Sequence, residues 1–398
     1  MSNEDISKSL KNIETSVHDD FIKFAQKLVQ TKSLTCQERE VAFLVEEKMK
    51  DLGYDEVTVD SVGNVLGRIG NGAKILMFDS HMDTVTVNNL NEWEHDPFGA
   101  AIENGRIYGR GACDMKCALA ASVYGGYIAK EIGIPDDVTV LVSASCMEED
   151  YDGEAVRLML KEHNLRPDAV IICEPTSLKI ATGHRGRTSI EINVKGTPCH
   201  ASNPNNGVNP VYLMTDIIRN IMKLSDDLDY QDGQDNGSVA LTNIYCNTAS
   251  NNSVPNDATI VLDRRLANGE SEESISLEMN RLLEGTEGSW KFMDIPGKSW
   301  TETDFMFHSF LPAWNISSDH SLVKGAISAF KEIKEQDPVL YQMGASTNAV
   351  VTAGLLHIPT IIFGPGNMEQ AHATDEYCDI QMMVDAALMY ADICHNFS

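Results

Sequence analysis

The sequence predicts an α/β protein: a mostly parallel, doubly wound sheet carries the chemistry, and a smaller ferredoxin-like α+β domain is inserted into it. Three observations predict this. Apolar runs at 74–78, 138–144, 169–172 and 358–363 alternate with helical stretches such as 115–131 and 153–163, a rhythm that lays helices over the faces of a parallel sheet. Between about 187 and 300 the texture changes to strict alternation of apolar and polar residues, as in TSIEINV and ATIVLDRRL, which implies strands with one covered face. Finally, 398 residues exceed what one ordinary core holds, so two domains are expected.

Taken in order, Phe21, Phe24, Ala25 and Leu28 recur at helix spacing behind Asp19 and Asp20. Val41, Leu44, Val45, Met49 and Leu52 do the same ahead of Gly53, a residue suited to ending a helix. The strands and helices of the sheet follow. The inserted segment reads as βαββαβ, with strands at 188–194, 238–246, 258–266 and 289–295 and helices near 209–224 and 272–284; the polar stretch 225–237 reads as a solvated loop. The expected division is a first domain over 1–186 and 301–398, interrupted by an inserted domain over 187–300.

Composition narrows the function. Thirty-one basic residues against fifty-nine acidic ones give a formal charge of -28, which repels nucleic acid and anionic membrane surfaces, so neither is an expected partner. The first twenty residues are polar, without an apolar signal core, and no later run reaches the length of a membrane span; the expected location is cytoplasmic. Nine scattered cysteines without a C-x-x-C pair fit reduced thiols, not a disulfide framework.

The chemistry gathers at strand ends. KILMF runs into Asp79, His81 and Asp83; TVLVSAS runs into Glu148 and Glu149; AVIIC runs into Glu174; PTIIFGPG is followed by His372. In a doubly wound sheet that edge is where ligands bind. Any one of these acids is equally well a turn residue. Together with Asp114 they would crowd one crevice with negative charge, and like charges that close raise each other's pKa or push the site apart. Two divalent cations with neutral imidazoles restore the balance. Carboxylate and imidazole donors suit Zn²⁺, with Mn²⁺ or Co²⁺ as alternatives. Cys113, Cys146 and Cys173 lie close by in sequence, and packing of strand ends accounts for them better than thiolate ligation.

SHMDTV (80–85), GRGACDMKCALAA (109–121), CMEED (146–150), CEPT (173–176), GTPCHAS (196–202), LDRRL (262–266) and FGPGNMEQAHATDE (363–376) occur in this order. Together they resemble the co-catalytic zinc aminoacylase, carboxypeptidase G, ArgE and DapE group of amidohydrolases and exopeptidases, and within it the YgeY-type hydrolases most. The resemblance implies that His81 and Glu174 hold one metal ion, that Glu149 and His372 hold the other, and that Asp114 bridges them. It implies a cis peptide from Asp114 to Met115. Asp83 would accept the far N–H of His81 and fix its tautomer, while Asp79 is structural.

Glu148 would be the general base beside a metal-activated hydroxide. His200 resembles the histidine that reaches the partner subunit's site and steadies the oxyanion, and Arg265 the arginine that grips a substrate carboxylate, with Asn247 assisting. Read without the resemblance, His200 is a surface turn histidine and Arg265 an exposed strand arginine. Asn348 stands where many relatives carry aspartate, a candidate substrate contact. Gly364 and Gly366 read as a tight turn that lets backbone amides approach a ligand. Cys117 departs from a glycine common in the group.

The resemblance implies that 1–186 with 301–398 is the catalytic metal-binding domain and that 187–300 is a lid and dimerisation domain; the expected function is a dinuclear hydrolase that cleaves an amide bond of a small carboxylate-bearing substrate, an N-acyl amino acid or a dipeptide, working as a homodimer through that lid. Two alternatives stand beside it: a carbamoyl or ureido hydrolase of purine-related nitrogen metabolism, and a catalytically silent ligand-binding homologue.

Overall fold

The computed structural model describes residues 3–229 and 237–397. The chain forms two compact units, one of Met1–Gly183 with Gly297–Phe305 and Asn315–Ser398, the other of His184–Pro296 with Met306–Trp314.

In the first unit the strands follow the spatial order Glu56–Val59, Val65–Gly70, Val138–Ser145, Lys74–His81, Ala169–Ile172, Thr360–Ile362, Ile180–His184. The middle four are parallel to one another, so their carboxyl ends share one edge. Every residue of Val138–Ser145 is buried, as a near-continuous apolar run flanked on both faces requires. The outer strands are antiparallel, Val65–Gly70 on Val138–Ser145 and Ile180–His184 on Thr360–Ile362, which makes the sheet mixed.

Helices Cys117–Ile132 and Ile380–His395 are buried on nearly every side and pack together, consistent with their lack of a polar face. The Asp379 carboxylate accepts the amides of Gln381 and Met382 and so starts the second of them. The first helix spans Asn3–Gln30, so Asp19 and Asp20 lie within it and do not open it. Asp20 instead pairs with Lys48 at 3.0 Å and accepts the Tyr124 hydroxyl, bonds that tie this helix to two others.

The second unit is an antiparallel sheet in the order Ser238–Asn247, Asp257–Leu266, Gly186–Lys195, Gly288–Phe292. Buried and half-buried residues alternate along Gly186–Lys195, as a one-sided sheet dictates. Ile190, Ile192, Val194, Ile260 and Leu262 from the sheet share a core with Met214 and Ile217 of helix Pro210–Asp229 and Ile275 and Met279 of helix Glu272–Leu282. Ser271 and Ser274 cap the latter helix reciprocally. Part of the stretch expected as a solvated loop is helical, since Pro210–Asp229 runs through residues 225–229; residues 230–236 lie outside those described.

Among the described residues no helix is long and apolar enough to cross a membrane. All nine cysteines are free.

Candidate metal centre

Because the four central strands are parallel, their ends deliver His81, the Cys146–Asp150 turn, Glu174 and the Gly364–Gly366 turn to one edge of the sheet. Asp114 arrives separately, from an irregular turn over Ala112–Lys116 ahead of helix Cys117–Ile132. The peptide from Asp114 to Met115 is cis, as the resemblance implies.

Asp114 sits between two imidazoles. Its Oδ1 lies 3.0 Å from His81 Nε2 and its Oδ2 3.4 Å from His372 Nε2. On the His81 side, Glu174 Oε1 is 3.7 Å and Glu148 Oε2 3.9 Å from His81 Nε2. On the other side, Glu149 Oε2 is 2.9 Å from His372 Nε2. Two sets of donor atoms, His81 with Glu148 and Glu174, and His81 with Asp114 and Glu149, each fall within 4.8 Å of one another. His81, Asp83 and Glu174 are buried, whereas the His372 side chain is half exposed, so the cluster opens on that side.

The electrostatics of this cluster call for cations. Burial raises the carboxyls of Glu148, Glu149 and Glu174, the first and last well above the usual range; the neighbouring acids push the same way, and the imidazoles only partly offset them. Burial opposes charge on His81, but its carboxylate neighbours outweigh it and hold the imidazole well above its usual value. The Asp114 and Glu149 carboxylates, which accept from its imidazole, lift His372 to about 10. Asp114 is buried too, yet the hydrogen bonds from His372 and His81 hold it low. Four carboxyls sharing two imidazoles is a donor set that fits divalent ions. None of the cysteines enters these sets. Cys113 Sγ points to the Asn367 carbonyl at 3.2 Å and Cys146 Sγ to the Val62 carbonyl at 3.4 Å, so both are buried packing residues, Cys146 at a strand end and Cys113 in the turn that carries Asp114.

Asp83 does more than orient the histidine. His81 Nδ1 lies 3.0 Å from the main-chain oxygen of Asp83 and 3.5 Å from its carboxylate. The carbonyl is thus the nearer acceptor, and the carboxylate adds charge at longer range. The carboxylate oxygens accept the amides of Glu148 and Glu149, at 3.0 and 3.1 Å, and the Thr35 hydroxyl at 2.9 Å. The strand end that supplies one candidate ligand therefore also holds the turn that supplies another. Asp79 is fully buried and accepts hydrogen bonds from Ser143, Ser145 and Asn348.

The substrate candidates are placed differently. Asn348 is buried, and its amide is spent on Asp79, Ser145 and the Gly153 N–H, so it presents no free polar group. The Gly364 N–H is given to the Thr176 hydroxyl, and a Cβ there would sit 2.1 Å from the Cys173 carbonyl; the glycine lets this turn pack against the strand end that carries Glu174. Gly366 takes φ +90°, and its carbonyl accepts the Ser177 amide. In the second unit His200 is exposed and contacts Ser202, Arg265 pairs with Asp263 at 2.8 Å, and Asn247 is exposed at a strand end.

Sequence reasoning missed Glu376 and Arg110. The Glu376 carboxylate is fully buried, accepts the amides of Cys113 and Asp114 at 2.8 and 3.0 Å, and is paired with Arg110. It grips the backbone from which Asp114 projects. Arg110 also donates to the His372 carbonyl at 3.2 Å, linking the two sides of the cluster. The only signal was position, since Glu376 closes the stretch that begins at the Gly364 turn.

The sequence profile of peptidase family M20/M25/M40 matches residues 77–396. The protein YgeY of Escherichia coli strain K12 is 33% identical over 376 residues, covering 94% of this chain and 93% of its own. The M20 metallo-carboxypeptidase Sso-CP2 of Sulfolobus solfataricus superposes with a TM-score of 0.73 at 19% identity, over 94% of this chain and 98% of that one. YXEP of Bacillus subtilis, described as a dinuclear metal-binding M20 peptidase, gives 0.70 at 16% identity over 96% and 98%; both of these likenesses speak for the fold. Profile, relative and strand-end cluster agree: the chain belongs to peptidase family M20/M25/M40 and is a metal-dependent hydrolase.

Proposed function

We propose that the protein is a dinuclear hydrolase, with Zn²⁺ as its metal, that cleaves the amide bond of a small carboxylate-bearing substrate, an N-acyl amino acid or a dipeptide. The observation that carries this reading is the division of the Asp114 carboxylate, one oxygen toward His81 and the other toward His372. That is how a bridging ligand must face. His81 and Glu174 would hold one ion, Glu149 and His372 the other.

When bound, the two ions supply an acidified water and a Lewis acid for the scissile carbonyl. The chain supplies the proton path and the grip. Glu148 lies beside the cluster and is the base that takes a proton and passes it to the leaving amine. Burial, with the charge of Glu174, raises its carboxyl above the usual range. Arg265 would bind the substrate carboxylate through its planar fork, and His200 of a partner subunit would steady the oxyanion.

A homodimer formed through the second unit is part of the proposal. The edge strand Ser238–Asn247 supports it: from Thr242 onward its residues are exposed, with Ile244 at 48% and Tyr245 at 47%, and an unpaired apolar edge invites pairing.

The test is a hydrolysis screen of N-acyl amino acids, dipeptides and ureido acids with Zn²⁺, Mn²⁺ and Co²⁺, with bound metal counted by mass spectrometry. Release of a carboxylic acid or an amino acid at two ions per chain supports the reading. Release of ammonia and carbon dioxide from ureido acids alone moves the activity to carbamoyl chemistry, and no turnover at full occupancy removes it.

A further inference from the structure

Glu38 opens helix Arg39–Asp51 but does not cap it, since its side chain makes no bond to that helix's amides. It is fully buried. Its Oε1 accepts two amides, that of Cys36 at 2.9 Å and that of Met147 at 2.9 Å, the latter from a residue 109 positions away. Its Oε2 is buried with no hydrogen-bond partner. Leaving a carboxyl oxygen unpaired in a buried site costs stability, and a serine or aspartate at the head of a helix serves that helix better. The acid is therefore placed for the amides that it holds.

Those amides belong to unusual backbone. Cys36 and Met147 both lie in the left-handed region, at φ +64° and +62°, which non-glycine residues occupy at a cost and only when neighbours fix them. Met147 directly precedes Glu148 and Glu149. Asp83 holds the amides of these two glutamates, and Thr35, three residues before Glu38, donates to the same Asp83 carboxylate. Three successive amides, 147 to 149, are thus gripped by two buried acids, one of them tied to the Thr35–Glu38 stretch.

We infer that Glu38 is a positioning residue for the Glu148 arm: by holding the Met147 amide it fixes the left-handed turn that aims the Glu148 carboxyl at the Asp114 cluster. The inference rests on the proposed role of Glu148. Asp83 continues to hold the amides of Glu148 and Glu149 when Glu38 is lost, so the ligating Glu149 keeps its anchor while the Met147 turn just ahead of Glu148 loses its own. Burial and the charge of Asp83 push the Glu38 carboxyl up to about 8, and glutamine keeps the accepting oxygen that holds the two amides.

The experiment compares Glu38→Ala and Glu38→Gln with the wild-type chain in two ways. In metal-free protein, hydrogen exchange of the peptide spanning 146–149 should quicken in Glu38→Ala and stay near wild type in Glu38→Gln, with strand 188–194 unchanged in both. With metal restored, and on whichever substrate the screen yields, Glu38→Ala should lose about ten- to a hundredfold in kcat, as a misplaced catalytic group does, with KM and metal stoichiometry kept. Glu38→Gln should regain most of that loss. Unchanged exchange at 146–149, a kcat that survives in Glu38→Ala while only Tm falls, loss of metal together with kcat, or failure of Glu38→Gln to rescue would each overturn the inference. The exchange arm reads the grip of Glu38 without activity, so a wild-type chain that hydrolyses nothing would sink the proposed function while leaving this measurement interpretable.

Discussion

Each acid in this site is defined by what it faces, and that assigns separable outcomes to single substitutions. On the proposed reading, Glu148→Gln should retain two metal ions and near-normal KM while kcat falls roughly 10²–10⁴-fold, because only the proposed proton carrier is lost; steady-state kinetics with metal analysis checks it. Glu376→Ala should act differently. It frees the amides of Cys113 and Asp114 and leaves Arg110 buried without its carboxylate. Breaking a buried pair costs about 3–5 kcal/mol, and losing the support behind a ligand weakens metal binding about 10–100-fold; thermal denaturation and metal titration should show both. His81, Asp114, Glu148, Glu149, Glu174 and His372 were legible in the sequence because most of them follow apolar strands whose ends share an edge. Glu38, Glu376 and Arg110 were not. Their work is done on backbone amides or a buried partner far away in the chain, and a side chain that holds a distant N–H leaves no pattern in its own neighbourhood.

At the level of elements, the buried strands were readable because they are short, unbroken apolar runs. Val65–Gly70 escaped notice because glycines and an arginine interrupt its pattern. Gly67 has no room for a side chain, since a Cβ there would lie 2.6 Å from Met49 and Tyr54, so packing and not periodicity chose the residue. The alternating strands of the second unit declared themselves because one face is covered by two helices. The first helix was read too short because Asp19 and Asp20 look like a start signal, whereas Asp20 serves Lys48 and Tyr124. The turn after Thr360–Ile362 yields a prediction of its own. Gly364→Ala drives a methyl group into the Cys173 and Glu174 carbonyls, 2.1 and 2.6 Å away, and should displace the strand end that carries Glu174. The expected result is a folded chain that holds about one metal ion fewer, read by mass spectrometry and circular dichroism together; full metal content would show that the strand end accommodates the methyl.

For the molecule as a whole, the acidic cluster links folding, protons and metal. In the metal-free chain the carboxyls of Glu148, Glu149 and Glu174 are raised by burial and mutual repulsion. An acid whose folded pKa lies above its unfolded value holds its proton more tightly when folded, so its contribution to stability is present at low pH and lost as pH rises through the raised value. His372, raised to about 10 by Asp114 and Glu149, gives stability of the same sign, present below its unfolded pKa and lost as pH rises through about 10. Loading must expel these protons. Apparent metal affinity should therefore rise with pH, and calorimetric heats at neutral pH should vary with the ionisation enthalpy of the buffer; heats that do not vary would mean that the ligands are already deprotonated. By mass action, chelation should lower Tm by several degrees.

The central claim is that Asp114 stands between two metal ions. Anomalous diffraction from crystals grown with Zn²⁺ tests it most directly. The account predicts two peaks flanking the Asp114 carboxylate, one beside His81 and Glu174 and the other beside Glu149 and His372. A single peak, or peaks away from Asp114, would contradict it.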